Sequence, residues 1–150
     1  MADYRKLEVF ALAHELAVEL CLLTRDLPRG YRGELGDQLR RGSMSVAANI
    51  VEGCGRDSEG DMHRHFRIAL GSAAEVEYLL VYARDTAAAP RATVEPLISK
   101  AASIRRMVAG FIKRLTTDDK DNLRAAEGSR GASDPLPSAE GRAPRAPAIS

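Results

Sequence analysis

The chain has 150 residues, enough for one domain with a tail, and its 45% hydrophobic and 29% charged residues are ordinary for a soluble globular protein. Trp is absent and aromatics make up only 5%, so the core must be built from Leu, Ile, Val and Ala, which favours helices over sheets. A formal net charge of +1 gives no bulk attraction to nucleic acid or membrane; any such attraction must come from local clusters of Arg, since Lys occurs only at Lys6, Lys100, Lys113 and Lys120.

The first helix is expected over about Asp3 to Arg25. Val9, Ala13, Leu16, Leu20 and Leu23 recur at helical spacing, while Glu8, Glu15, Glu19 and Asp26 gather on another face. The acidic residues in this stretch exclude a signal peptide, and no uncharged run is long enough for a membrane span, so the expected compartment is the cytoplasm. The rest of the helix surface, with Phe10, Ala17, Val18, Cys21 and Leu22, is also apolar. A helix wet along one narrow strip needs more than one covering neighbour. Leu27-Pro28-Arg29-Gly30 then breaks the chain.

A second helix is expected from about Glu34 to Glu52, with Leu35, Leu39, Val46 and Ile50 as its stripe and Gly42 allowing close approach. Met44, Ala47 and Val51 lie roughly opposite, and Gly53 or Gly55 is expected to end the helix in a left-handed conformation. Asp57 or Ser58 caps a third helix running to about Asp85 through Met62, Phe66, Ala69, Ala73, Val76 and Leu80. After Ala87-Ala88-Ala89-Pro90, Thr93 is the expected cap of a fourth helix, with Pro96 in its first turn. That helix carries Leu97, Ala101, Ile104, Val108, Phe111 and Leu115. From Thr117 the apolar pattern stops, so residues 1–116 are read as the bundle and 117–150 as a disordered tail. Short connections give an all-α, antiparallel up-down-up-down four-helix bundle. Apolar surface left over on the first two helices, at Phe10, Ala17, Met44 and Val51, predicts a homo-oligomer.

Chemistry-bearing constellations are sparse. Cys21 and Cys54 have no metal-type spacing and read as reduced, structural thiols. His63 and His65 sit two apart and cannot share one metal; their expected partners are Glu59 and Asp61 in first-turn charge pairs, and His14 stands alone. Gly53-Cys54-Gly55-Arg56 lacks the ending of a nucleotide-binding loop. No Ser, Cys or Thr lies in an activating motif, so no enzyme, cofactor or metal is expected. Gln38, Arg41, Ser45, Asn49 and Glu52 share one flank of the second helix, and Arg64, Arg67, Gly71, Glu75 and Tyr78 form a row on the third. With Gly53, these are read as a polar network between helices or subunits, in which Arg41 or Arg67 pairs Glu75 or Glu52. Arg40, Arg41, Arg56, Arg64, Arg67, Arg105 and Arg106 are the candidates for contacting RNA or DNA backbone, since repetition of one Arg row around an oligomer concentrates positive charge. Without interleaved aromatics, shape or backbone recognition is expected over base reading.

Four stretches carry a family resemblance. The opening Tyr4-Arg5-Lys6-Leu7-Glu8-Val9-Phe10, the segment Gln38-Leu39-Arg40-Arg41-Gly42-Ser43 with Ser45 to Gly53, Phe66 to Glu75, and Ile104-Arg105-Arg106-Met107 occur in order across residues 3–115. Together they resemble small bacterial four-helix-bundle proteins encoded within intervening sequences of 23S ribosomal RNA genes. The resemblance extends to accessory variability proteins of diversity-generating retroelements, and it implies a pentameric ring that binds nucleic acid and, in a retroelement, a reverse transcriptase. The rival reading is a protein-protein adaptor or scaffold with no nucleic-acid role.

Overall fold

The computed structural model describes residues 2–130, and its regular structure is entirely helical. A 3-10 turn at Tyr4–Lys6 precedes α1 (Glu8–Arg25), α2 (Arg29–Arg32), α3 (Glu34–Cys54), α4 (Glu59–Asp85) and α5 (Arg91–Arg130). The four expected helices are α1, α3, α4 and α5. Asp3 caps the opening turn through the Arg5 amide, and extended Leu7 separates that turn from α1. The break after Arg25 holds the single turn α2, which has too few residues to show a periodic stripe.

The helix ends follow local chemistry, with three departures from expectation. Ser58 accepts a hydrogen bond from the Asp61 amide at 3.1 Å and so caps α4. Gly55 follows α3 with φ −84°, a right-handed conformation, and Gly53 lies within the helix. Neither glycine supplies the expected left-handed stop. Ala87 does that work instead, at φ 55° after α4, where the Ala88 amide reaches back to the Ala83 carbonyl at 2.9 Å. The carbonyl of Pro90 receives the Thr93 and Val94 amides, so α5 starts before Thr93 and Pro96 falls inside the helix. Finally, α5 runs to Arg130, making residues 117–130 helical where disorder is expected; the rest of the expected tail, 131–150, lies outside the described residues.

Neighbours run α1–α3–α4–α5 and back to α1, closing a four-helix bundle. Cross-links fix the directions. Arg40 on α3 reaches Thr24 at the end of α1, Ser45 on α3 meets Ser72 on α4, and Arg105 on α5 binds Glu77 on α4. Each adjacent pair is therefore antiparallel, the up-down-up-down arrangement. The apolar stripes meet at the centre: Val9, Ala13, Leu16 and Leu20 face Leu39, Val46 and Ile50, with Phe66, Ala73, Val76 and Leu80 and then Leu97, Ile104 and Val108 completing the core. Gly42 sits where α3 and α4 approach most tightly, because a Cβ there would lie 2.8 Å from Val76 Cγ2.

Candidate functional site

The seam between α3 and α4 carries a chain of polar side chains in an otherwise apolar bundle. Ser45 and Ser72 share a hydrogen bond of 2.9 Å across the seam. One turn further on, Asn49 donates through Nδ2 to the Ser45 carbonyl at 2.9 Å, which fixes its amide orientation because a carbonyl only accepts. Its Oδ1 then faces His65 Nδ1 at 3.1 Å, and Glu52 Oε2 lies 3.3 Å from the same nitrogen. With two acceptors beside it, Nδ1 carries the hydrogen. His65 is buried, and its Nε2 has no hydrogen-bond partner among the described residues. Room for the ring comes from Gly53, where a Cβ would stand 3.3 Å from His65 Cβ.

Ser45, Asn49, Glu52 and Gly53 thus come together around His65 and Ser72, two residues outside the network read from sequence. His65 turns inward to Asn49 and Glu52, not along its own helix to Asp61, and His63 faces Thr116 of α5 at 3.4 Å instead of Glu59. The signal that could have found His65 is its place beside Phe66 on the apolar stripe; the identity of its partners across the seam leaves no trace in local spacing. Gln38, Gly71 and Glu75 stand apart from the hydrogen-bonded chain. Gln38 and Glu75 are exposed and share an open recess with Arg41, and a Cβ on Gly71 would meet nothing within 4 Å. The expected pairing of Arg41 or Arg67 with Glu75 or Glu52 does not occur among the described residues.

The seven arginines divide into two groups. Arg40 is tied to Thr24 Oγ1 at 2.8 Å and to Asp37, so it pins α3 to the end of α1. Arg105 holds Glu77 at 2.5 Å, and that contact raises its pKa above the usual guanidinium value. Arg106 is exposed and reaches Ser103 at 3.2 Å. Arg41, Arg56, Arg64 and Arg67 are exposed and make no ion pair among the described residues. Arg56, Arg64 and Arg67 lie at the α3–α4 turn and the first turns of α4, while Arg41 stands farther along α3.

Expected contacts between copies fall on the α1/α3 face. Val18, Leu22 and Met44 are 47%, 53% and 64% exposed, although all three are large apolar side chains. Ala17 and Met44 line one groove of about 240 Å³ with His14, Val18, Cys21 and Arg40. Phe10 and Val51 are half-buried at the end nearer the N-terminus, where Phe10 packs edge-on against Tyr4 with ring centres 4.8 Å apart. The acidic strip of α1 is also partly engaged: Lys100 of α5 bridges Glu15 at 2.9 Å and Glu19. Cys21 and Cys54 are free thiols, and burial pushes the Cys54 thiol up, away from reactive thiolate. Among the described residues no group of three or more His, Cys, Asp or Glu is placed to hold a metal, and no helix is long and apolar enough to cross a membrane.

The fold is an antiparallel four-helix bundle with a polar seam between α3 and α4. The chain belongs to the 23S rRNA-intervening sequence protein family, whose model matches residues 5–110. It is similar to the crystal structure of a protein of unknown function from the S23 ribosomal protein family of Bacteroides thetaiotaomicron. The two share 27% identity and a TM-score of 0.66, covering 70% of this chain and 98% of that one. No curated protein matches. Family and neighbour bring the fold and no assigned chemistry.

Proposed function

We propose that the protein is a non-enzymatic accessory factor that self-assembles through its α1/α3 face and holds nucleic-acid backbone with the exposed arginines of α3 and α4. The observation that carries this reading is the row Val18, Leu22 and Met44, three large apolar side chains left in water beside a groove. Apolar surface of this kind is stabilised when a second molecule covers it. The pentameric number follows the family resemblance. In a ring, Arg41, Arg56, Arg64 and Arg67 repeat with each subunit, so a weakly charged chain presents a multiplied array to phosphates. Arg40 and Arg105 are left out of that array because both are spent on contacts inside the bundle. Arg106 is left out because it lies on α5 and is engaged with Ser103 of its own helix. In a retroelement setting a reverse transcriptase would be a further partner.

The test is the native mass of the protein from its host cells at low salt without nuclease. The expected result is about five times the 16.2 kDa chain, carrying nucleic acid that leaves as salt rises. Val18→Glu with Met44→Glu should yield monomers that keep their helicity, because both side chains are exposed. Arg64→Glu with Arg67→Glu should leave the assembly intact and strip the nucleic acid. Unchanged mass in the first variant would refute the interface, and unchanged nucleic acid in the second would refute the array. The second reading, a protein-protein adaptor, is favoured by a recess lined with tyrosines at the far end of the α3/α4 seam.

A further inference from the structure

Three of the chain's four tyrosines line one recess of about 260 Å³, beside α2 where α3 begins and α4 nears its end. Tyr78 and Tyr82 are one turn apart on α4, and Glu34 and Gln38 are one turn apart on α3. Tyr31 comes from the single turn α2, where its amide donates to the Pro28 carbonyl at 2.9 Å. Leu35 and Leu79, both buried, add apolar surface to the lining. Tyr78 and Tyr82 are 63% and 43% exposed, although rings of this size gain from burial. None of the three tyrosines belongs to a ring-ring pair among the described residues, so the rings stand apart from one another.

Charge decides what the recess suits. Glu34 is the one charged side chain lining it, and it is exposed and makes no ion pair among the described residues. Two arginines close by in sequence are engaged elsewhere: Arg32 donates to the Leu27 carbonyl at 3.3 Å, and Arg84 is held by Asp85 at 2.9 Å and Glu95 at 3.4 Å. Beyond Gln38, a neighbouring recess carries Arg41 and Glu75, one charge of each sign. At other rings the chain supplies its own cation: Arg5 lies 5.0 Å from the centre of Tyr4, and Arg114 lies 4.5 Å from that of Phe111. Among the described residues no Lys or Arg covers Tyr31, Tyr78 or Tyr82 in that way.

A phosphate or carboxylate placed here would meet Glu34 and no cation, and a wholly apolar ligand would strip water from that carboxylate without replacing it. An organic cation satisfies both halves of the lining: the ring faces attract it through their quadrupoles, and Glu34 supplies a full negative charge. A trimethylammonium group suits it best, because it has no N–H to leave unpaired and its methyls pack against rings and leucines alike. The volume lies below the roughly 300–1,000 Å³ of pockets for drug-sized ligands, enough for such a head group and a few atoms more. We propose that the tyrosine recess is a binding site for a small free trimethylammonium compound. None of its residues lines the α1/α3 groove or belongs to the arginine array, so this site goes beyond the function proposed above and stands without it.

The experiment is a magnetic-resonance titration of the full-length chain with isotope-labelled tyrosine rings, in which Tyr4 is an internal control. Choline chloride is the probe, compared with sodium chloride at the same ionic strength. The expected result is that the Tyr31, Tyr78 and Tyr82 signals shift saturably, with a Kd of about 1 mM or tighter, while Tyr4 stays in place. Glu34→Gln, and separately Tyr78→Ala with Tyr82→Ala, should each weaken binding about fivefold or more with helicity unchanged, whereas Tyr78→Phe, which keeps the ring, should not. Dimethylbutanol, the uncharged carbon analogue of choline, should produce no saturable shift. No saturation by about 10 mM choline, or binding that ignores the variants, would overturn the site. An equal response to dimethylbutanol would overturn the choice of a cation, and tighter binding of adenosine monophosphate at the same rings would assign them to a nucleobase instead. A short peptide carrying trimethyl-lysine that binds about tenfold more tightly than choline would overturn the free compound in favour of a modified protein, the source an adaptor would use.

Discussion

Two glycines in the family-like segments have opposite reasons to be there, and substitution separates them. Gly42 faces Val76 so closely that a Cβ would lie 2.8 Å from a methyl group, and a β-branched side chain cannot swing aside cheaply. Gly42→Ala should therefore lose about 1–3 kcal/mol to overpacking and regain about 1 kcal/mol of helix propensity. Gly71 has open space where its Cβ would be, so Gly71→Ala should gain about 0.5–1 kcal/mol from propensity alone. Urea midpoints should rank Gly71→Ala above the parent and the parent above Gly42→Ala. The reverse order would mean that α3 and α4 are not held at this distance. The closeness at Gly42 was legible in the sequence because a lone glycine interrupts an apolar stripe. The irrelevance of Gly71 to the polar network was not, since its row on α4 looks the same whether or not a neighbour covers it.

At the scale of whole helices, the seam between α1 and α5 is closed by a clasp of one lysine and two carboxylates. Burial works against the Lys100 charge, but the carboxylates of Glu19 and Glu15 outweigh it and raise its pKa. The hydrogen bond and charge of Lys100 hold the Glu15 carboxyl below its ordinary 4.5. For Glu15, the stabilisation is complete above 4.5 and lost as pH falls through the lowered folded value. For Lys100, it is complete below 10.5 and lost as pH rises through the raised folded value. Lys100→Met should therefore be less stable than the parent at neutral pH, and the gap should close as pH drops below 4.5. A gap that stays constant with pH would exclude this clasp as its source. Helix by helix, the four long elements were legible because each has a continuous apolar stripe. The extension of α5 was not: residues 117–129 are almost wholly exposed, with Leu123 alone and one i,i+3 pair between Asp121 and Arg124. They continue α5 without a buried face, and a search for a buried face passes over them. The partner of Lys100 was equally hidden, since nothing near residue 100 points to residue 15 or 19.

For the molecule as a whole, the bundle is closed by contacts of very unequal sequence separation. Ser45 meets Ser72 across 27 residues, and Arg105 meets Glu77 across 28, whereas Lys100 meets Glu19 across 81. A threefold longer loop costs about 1 kcal/mol more in closure entropy, so the hairpins of consecutive long helices, α1/α3 included with Arg40 meeting Thr24 across 16 residues, have the advantage as early structure. The seam of α1 against α5 then forms after the rate-limiting step and opens first when the molecule unravels. In kinetic terms Lys100→Met should leave the refolding limb of a chevron plot nearly unmoved and raise the unfolding limb. A slowed refolding limb would place the α1/α5 seam in the nucleus. If the order holds, the clasp is a latch on lifetime: the same ion pair that adds little to how fast the bundle is made governs how long the ring of helices stays shut.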